Sequence, residues 1–315
     1  MKYFWLGGLL LLAACAYISL ITIPQDTIGM QPTALTSSPA EVGLTFEEFF
    51  VSPQDSNLQL AGWWMPAQEP HAILVFIHGI GSHRNSRYFG SLAFYQAMVT
   101  QGIGVVAIDL RNHGESESDT TGLQFGRTEK YDVVAAINWA RKKNPDLPLF
   151  AMGISMGGAT VIEAEYSGAE LDGLILLDSL LDTVDSFKQG GWIKTGLPPA
   201  LFTISAWALT QFYGLPGGSA QALERAVTLD LPILVIQDPD DPVTRARYSQ
   251  ELADRNPNVT LWTVPPIDPK HPDLAWKKRW GSHVAAFQFY PQETVGQIVA
   301  FIDLSIAKNK QSKPL

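Results

Sequence analysis

Five short, almost unbroken apolar runs constrain this chain more than any other feature: Ala72 to Ile77, Gly104 to Ile108, Leu149 to Met152, Leu171 to Leu177 and Ile233 to Ile236. Runs of this length without polar alternation mark strands buried on both faces, the situation inside a parallel sheet covered by helices. Helical stretches separate them, at Tyr88 to Thr100, Lys130 to Lys143 and Met156 to Ala164. Alternation of this kind predicts an α/β fold with a doubly wound, mostly parallel sheet. Phe46 to Val51 and Leu60 to Met65, separated by the turn-rich Ser52 to Asn57, predict an opening hairpin. With 315 residues, 46% of them hydrophobic, the chain can fill one large core. Residues 44–308 therefore read as a single domain followed by a short tail, 309–315.

The N-terminus has a different character. After Lys2 no charge occurs from Tyr3 to Ile23, and about 20 apolar residues are what a helix needs to cross the hydrocarbon of a bilayer. Residues 1–24 therefore read as an uncleaved signal-anchor, a membrane-anchor helix. Two other readings stay open, a cleaved signal peptide with secretion and a lipoprotein lipidated at Cys15, since Leu12-Ala13-Ala14-Cys15 resembles a bacterial lipoprotein processing box. Lys2 alone speaks to orientation, and it favours an extracytoplasmic domain. Residues 25–43, rich in Pro, Thr and Ser, read as a linker. A net charge of -9 argues against a nucleic-acid partner, and one cysteine excludes an intramolecular disulfide and any multi-cysteine metal site. No Walker loop or zinc-ligand spacing occurs, so no metal and no cofactor is expected.

Gly153-Ile154-Ser155-Met156-Gly157-Gly158 directly follows one buried strand and opens a helix. A serine hydroxyl needs a base that takes its proton, and a sharp strand-to-helix turn projects the side chain where one can reach it. Ser155 is thus the candidate nucleophile. His78-Gly79-Ile80-Gly81 ends an earlier strand, and glycine-rich turns aim backbone amides at a developing oxyanion; the N–H groups of Ile80 and Met156 are the candidates. His78 reads as a brace for that turn and not as a base. The strand Leu231 to Ile236 runs into Gln237-Asp238-Pro239-Asp240-Asp241-Pro242-Val243, which puts three carboxylates at a strand's C-terminal end, where α/β sites lie. Later comes Gly281-Ser282-His283, giving a base, with His271 in a proline-rich loop as its rival. Asp178, after Leu177, reads as a hinge or capping residue, and His83 with Arg84 as a solvated loop. Trp276-Lys277-Lys278-Arg279-Trp280 reads as an exposed basic loop with two packed tryptophans.

From about Phe46 to Ile306 the chain resembles the α/β-hydrolase superfamily, and within it the serine-aminopeptidase-like and monoacylglycerol-lipase-like hydrolases. The residues that carry the resemblance are His78-Gly79-Ile80-Gly81, Asp109-Leu110-Arg111-Asn112-His113-Gly114, Gly153-Ile154-Ser155-Met156-Gly157 and Gly281-Ser282-His283. The resemblance implies that Asp241 is the acid of a Ser155, Asp241, His283 triad, in the chain order of that fold. Asn112 and Asp238 depart from it, each standing where the family usually has glycine; Asp238 and Asp240 remain rivals for the acid.

Residues 183–228 interrupt the alternation of strands and helices and read as an inserted helical lid. Its Trp192, Phe202, Trp207 and Phe212 are either the packing of a small subdomain or a surface that meets an apolar acyl group. The expected activity is hydrolysis of a carboxylic ester, an acylglycerol or other lipid-like ester, through an acyl-enzyme. Two alternatives stand beside it: a serine peptidase or aminopeptidase acting on short peptides, whose amine-binding carboxylates would be Asp185 and Glu224, and a catalytically silent, membrane-tethered binding protein.

Overall fold

The computed structural model describes residues 2–30 and 32–312. An apolar helix opens the chain: α1 (Lys2–Tyr17) passes through a wider turn at Ile18–Thr22 into α2 (Ile23–Ile28). Gly7–Ile28 is long and apolar enough to cross a membrane, and most of it is exposed. The sheet begins with β1 (Glu47–Val51), β2 (Leu60–Met65) and β3 (Ala72–Ile77), followed by α3 (Ser91–Thr100), β4 (Ile103–Ile108), α4 (Lys130–Lys143), β5 (Leu149–Ile154), α5 (Met156–Tyr166) and β6 (Gly173–Leu177). A helical insertion comes next, with α6 (Thr183–Thr195), a short turn at Pro199–Phe202, α7 (Thr203–Phe212) and α8 (Ala222–Ala226). The chain returns through β7 (Ile233–Gln237), α9 (Ala246–Arg255) and β8 (Val259–Thr263), and closes with α10 (Ala286–Phe289) and α11 (Pro291–Ser312).

The eight strands form one sheet in the order β1-β2-β4-β3-β5-β6-β7-β8. β2 is antiparallel to both neighbours, and all pairings from β4 to β8 are parallel. Side chains alternate across the pleat. On β3, Ile73, Val75 and Ile77 join a core shared with α4 and α5, while Leu74 and Phe76 join the opposite core with Phe94 and Tyr95 of α3 and Ile298 of α11. Both faces are thus covered, which is why the central strands are apolar throughout. The edge strand β8 and the polar helix α9 lack that signal: Val259–Thr263 is half exposed and contains two threonines.

In the segment read from the sequence as a linker, several of the described residues contact the domain. Ile28 O accepts the Leu123 amide (2.9 Å), Asn85 Nδ2 donates to Ser37 Oγ (2.6 Å), and Leu35 packs on the core. Apolar residues among the prolines and serines, namely Ile28, Met30 and Leu35, give the segment something to bury. At the other end α11 extends through most of the expected tail, and residues 313–315 lie outside the described residues.

Candidate active site

Ser155 stands between β5 and α5 with φ 53° and ψ -120°, a conformation that costs energy for any residue with a Cβ. The neighbouring glycines permit the turn. A Cβ on Gly153 would lie 2.3 Å from the Gly157 carbonyl carbon, and one on Gly157 would lie 2.3 Å from Ile77 O. The turn is fixed by Ser155 N donating to Leu177 O (3.0 Å) and by Ser155 O accepting from Leu180 N (3.0 Å).

His283 reaches this serine from the loop before α10. Its Nε2 lies 3.0 Å from Ser155 Oγ, and its Nδ1 lies 2.6 Å from Asp241 Oδ2. Asp241 Oδ1 accepts the Val243 and Thr244 amides (2.6 and 2.7 Å), so the carboxylate is anchored by backbone on one side and meets the imidazole on the other. With Asp241 accepting at Nδ1, that nitrogen carries the proton and Nε2 is left to accept from the hydroxyl. All three side chains are buried. Asp240 is exposed; Asp238 turns inward, with Oδ1 accepting the Asp240 amide (3.0 Å). His271 sits in an outer loop, where its Nδ1 accepts the Asp273 amide (3.2 Å).

The turn of Gly79 and Ile80 lies directly against the serine, since a Cβ on Gly79 would come within 3.1 Å of Ser155 Cβ. Met156 is the first residue of α5, so its amide has no carbonyl one turn earlier to bond. Two buried histidines brace the turn from behind. His78 Nε2 accepts the Leu110 amide (3.1 Å), and His113 Nε2 accepts the Gly81 amide (3.2 Å). Their Nδ1 atoms bond Gly79 O and Arg111 O (2.8 Å each). Burial holds both imidazoles below their ordinary value, which keeps Nε2 free to accept. Arg84 is buried as well: it pairs with Asp109 and Glu115 and lies over the Trp63 ring, so the solvated loop expected there is a structural anchor.

Two residues at this site were not marked as part of it by the sequence. Asp178 ends β6 with φ 41°, and its carboxylate accepts from the Asp238 amide (2.8 Å) and from the Val284 amide (2.9 Å), next to His283. Val284 has φ 53°, a strained value for a β-branched residue, and the bond to Asp178 holds it there. Burial and the nearby Asp241 raise the Asp178 carboxyl well above the ordinary carboxylate range. Lys277 is also buried, contrary to an exposed basic loop. Its ammonium, pushed down to about 8 by burial, donates to Tyr88 O (2.9 Å) and His283 O (3.3 Å).

Among the described residues, Asp178, Asp241 and His283 form the one cluster with metal-ligand chemistry, their ligand atoms within 4.8 Å of one another. Backbone amides and the imidazole already occupy the carboxylate oxygens, so the arrangement serves hydrogen bonding.

Ser155 and His283 open into a cavity of about 480 Å³, within the range of small-molecule sites. Ile80, Phe125, Leu180, Phe187 and Trp280 are among its walls. Of the four aromatic residues singled out in the insertion, Phe202 lines this cavity. Trp192 borders a separate hollow beside Asp240 and Asp241. Trp207 and Phe212, 54% and 69% exposed, stack edge-to-face on the outer surface of α7. The helix is apolar on both sides, and docking through Phe202, Ala206 and Leu209 turned those two rings away.

Sheet order, the serine turn and the carboxylate after β7 together make up the α/β-hydrolase fold. A family profile described as serine aminopeptidase, S33, matches residues 68–213. The chain is similar to the monoglyceride lipase of Rattus norvegicus, 28% identical over 128 residues, which cover 40% of this chain and 41% of that protein. It is also similar to the monoacylglycerol lipase of Mycolicibacterium smegmatis, 26% identical over 223 residues, 61% of this chain and 78% of the relative. An esterase structure from Pyrococcus furiosus shares the fold with a TM-score of 0.69 at 20% identity, covering 87% of this chain and 97% of that one.

Proposed function

We propose that the chain is a serine hydrolase that cleaves carboxylic esters, with acylglycerols or similar lipid esters as its substrate class. The observation that carries this reading is the relay from Asp241 Oδ2 through His283 to Ser155 Oγ, at 2.6 and 3.0 Å, on a strained strand-to-helix turn. In this mechanism Asp241 fixes the imidazole tautomer, His283 takes the Ser155 proton, and Ser155 Oγ bonds to the ester carbonyl carbon. The Ile80 and Met156 amides receive the oxyanion. The tetrahedral species collapses as His283 protonates the leaving alkoxide. Water, deprotonated by the same imidazole, then releases the acid and restores Ser155.

The relatives' names favour monoacylglycerol over peptide substrates. Among the described residues that line the cavity, Asp26 supplies the one carboxylate. The amine-binding candidates of the peptidase reading are engaged elsewhere, Asp185 with Arg245 (3.0 Å) and Glu224 with Arg255 (2.8 Å). A membrane-anchored enzyme is supported by the apolar helix Gly7–Ile28 and by the exposed Leu201, Ile204, Trp207 and Phe212 on the neighbouring insertion, which acts in this reading as a lid; the extracytoplasmic side assigned to it rests on Lys2 alone. A fluorophosphonate probe together with a panel of acyl esters, acylglycerols and aminoacyl amides tests the proposal. Labelling abolished by Ser155→Ala, with esters hydrolysed and amides not, is the expected result. Labelling that survives Ser155→Ala, or faster turnover of the amides, overturns it.

A further inference from the structure

We infer that the end of the N-terminal apolar helix forms one wall of the acyl pocket and sets the chain length accepted there, an inference that rests on the ester-hydrolase reading above. Ile23, Asp26, Thr27 and Met30 border the same cavity as Ser155 and His283. Phe187 and Phe202 of the insertion border it as well, so the cavity is walled by segments from distant parts of the sequence. Met30 approaches the oxyanion turn. Its Cε is 3.3 Å from the place a Cβ on Gly81 would occupy, on the turn that presents the Ile80 amide.

This wall is bolted in place. Ile28 O accepts the Leu123 amide, Tyr213 Oη donates to Leu20 O (3.3 Å), and a Cβ on Gly122 would strike Ile28 O at 2.5 Å. Pro24 is buried, and Ile28 and Met30 pack against the main core. Ile23 and Met30 line the cavity together with Phe187 and Phe202, apolar walls that suit an aliphatic chain. The Thr27 hydroxyl is taken up by Ile23 O (2.8 Å), and Asp26 is exposed at the rim. The pocket is therefore closed by a segment that precedes the hydrolase domain in sequence. An aliphatic chain moving along the exposed face of this helix meets the pocket at the helix's end.

The test uses the full chain in detergent micelles, with kcat/KM measured for p-nitrophenyl esters from butyrate to dodecanoate. Met30→Ala enlarges the pocket and should shift the preference toward longer chains; Met30→Trp and Ile23→Trp fill it and should shift the preference toward shorter ones. One methylene contributes roughly fourfold in kcat/KM, so the dodecanoate-to-hexanoate ratio should move by at least about fivefold in each direction. Fluorophosphonate labelling of the same preparations reports an intact serine site. Ratios that stay at the wild-type value, or that move the same way in the alanine and tryptophan variants, overturn the inference while labelled enzyme leaves the hydrolase reading standing. Wild-type chain that neither labels nor turns over any ester refutes the hydrolase reading itself.

Discussion

Asp241→Asn exploits the two-sided anchoring of this carboxylate. Oδ1 accepts two backbone amides, from Val243 and Thr244, and Oδ2 meets His283 Nδ1. An asparagine keeps both backbone bonds only by placing its oxygen at the Oδ1 position, which points its NH2 group at the imidazole. The opposite orientation leaves two buried N–H donors facing an NH2 group, at about 1–3 kcal/mol each, or about 2–6 kcal/mol together. The first orientation is then favoured by about 30-fold or more. It obliges Nδ1 to accept and moves the ring proton to Nε2, where the imidazole can no longer take a proton from Ser155 Oγ. The same tautomer error in a serine protease triad lowers kcat about 10^4-fold, and a loss of that order is expected here. Asp241→Ala removes the forcing NH2 group and should be the milder change. Steady-state kcat on a butyrate ester, with thermal denaturation as a check on folding, decides the matter. Asp241→Asn within about tenfold of wild type, or Asp241→Ala the worse of the two, would refute the reasoning.

The bracing histidines give a pH signature. The His113 imidazole is held below its ordinary value in the fold, so the unfolded chain binds this proton first as pH falls past about 6.5. Its stabilising contribution is present above that pH and is lost toward the folded-state value, by up to about 1.4 kcal/mol per pH unit. In denaturant titrations the stability advantage of wild type over His113→Gln should shrink between about pH 7 and about pH 5; a constant or widening gap contradicts a neutral buried His113. Within the insertion, Phe202→Ala should change acyl-chain preference while Trp207→Ala leaves it unaltered, because Phe202 borders the cavity and Trp207 faces outward. Equal responses from the two variants would show that the insertion adopts another arrangement during turnover.

The sheet was legible because burial on both faces leaves its strands no polar residues to place, as in β3 and β4. β8, only partly covered on either face, carries no such mark. Ser155 was legible because the glycines around it are demanded by atoms under 2.5 Å from any added Cβ. Spacing alone could not choose among Asp238, Asp240 and Asp241, since the choice depends on which side chain the turn after β7 rotates toward His283. Nor could it separate Phe202, buried just before α7, from Trp207, exposed within it, since apolar residues occur on both the buried and the exposed side of this segment. The places of Asp178 and Lys277 beside His283 were illegible for a different reason. Asp178 acts on the backbone of the His283 loop from 106 residues away, at Val284, and Lys277 is drawn inward by the Tyr88 carbonyl, 189 residues away, so no local pattern records either contact.

The helical run from Lys2 to Ile28 has no slack before it meets the hydrolase domain: Leu20 is already bonded to Tyr213, and Ile28 to Leu123. A domain on a flexible tether samples the solution around it, whereas one clamped to the end of a span keeps a fixed height and tilt. With the helix embedded, this enzyme would work in two dimensions. Its rate would follow the mole fraction of substrate in the lipid surface and not the amount in bulk water, so that adding inert lipid would slow it while total substrate stayed constant.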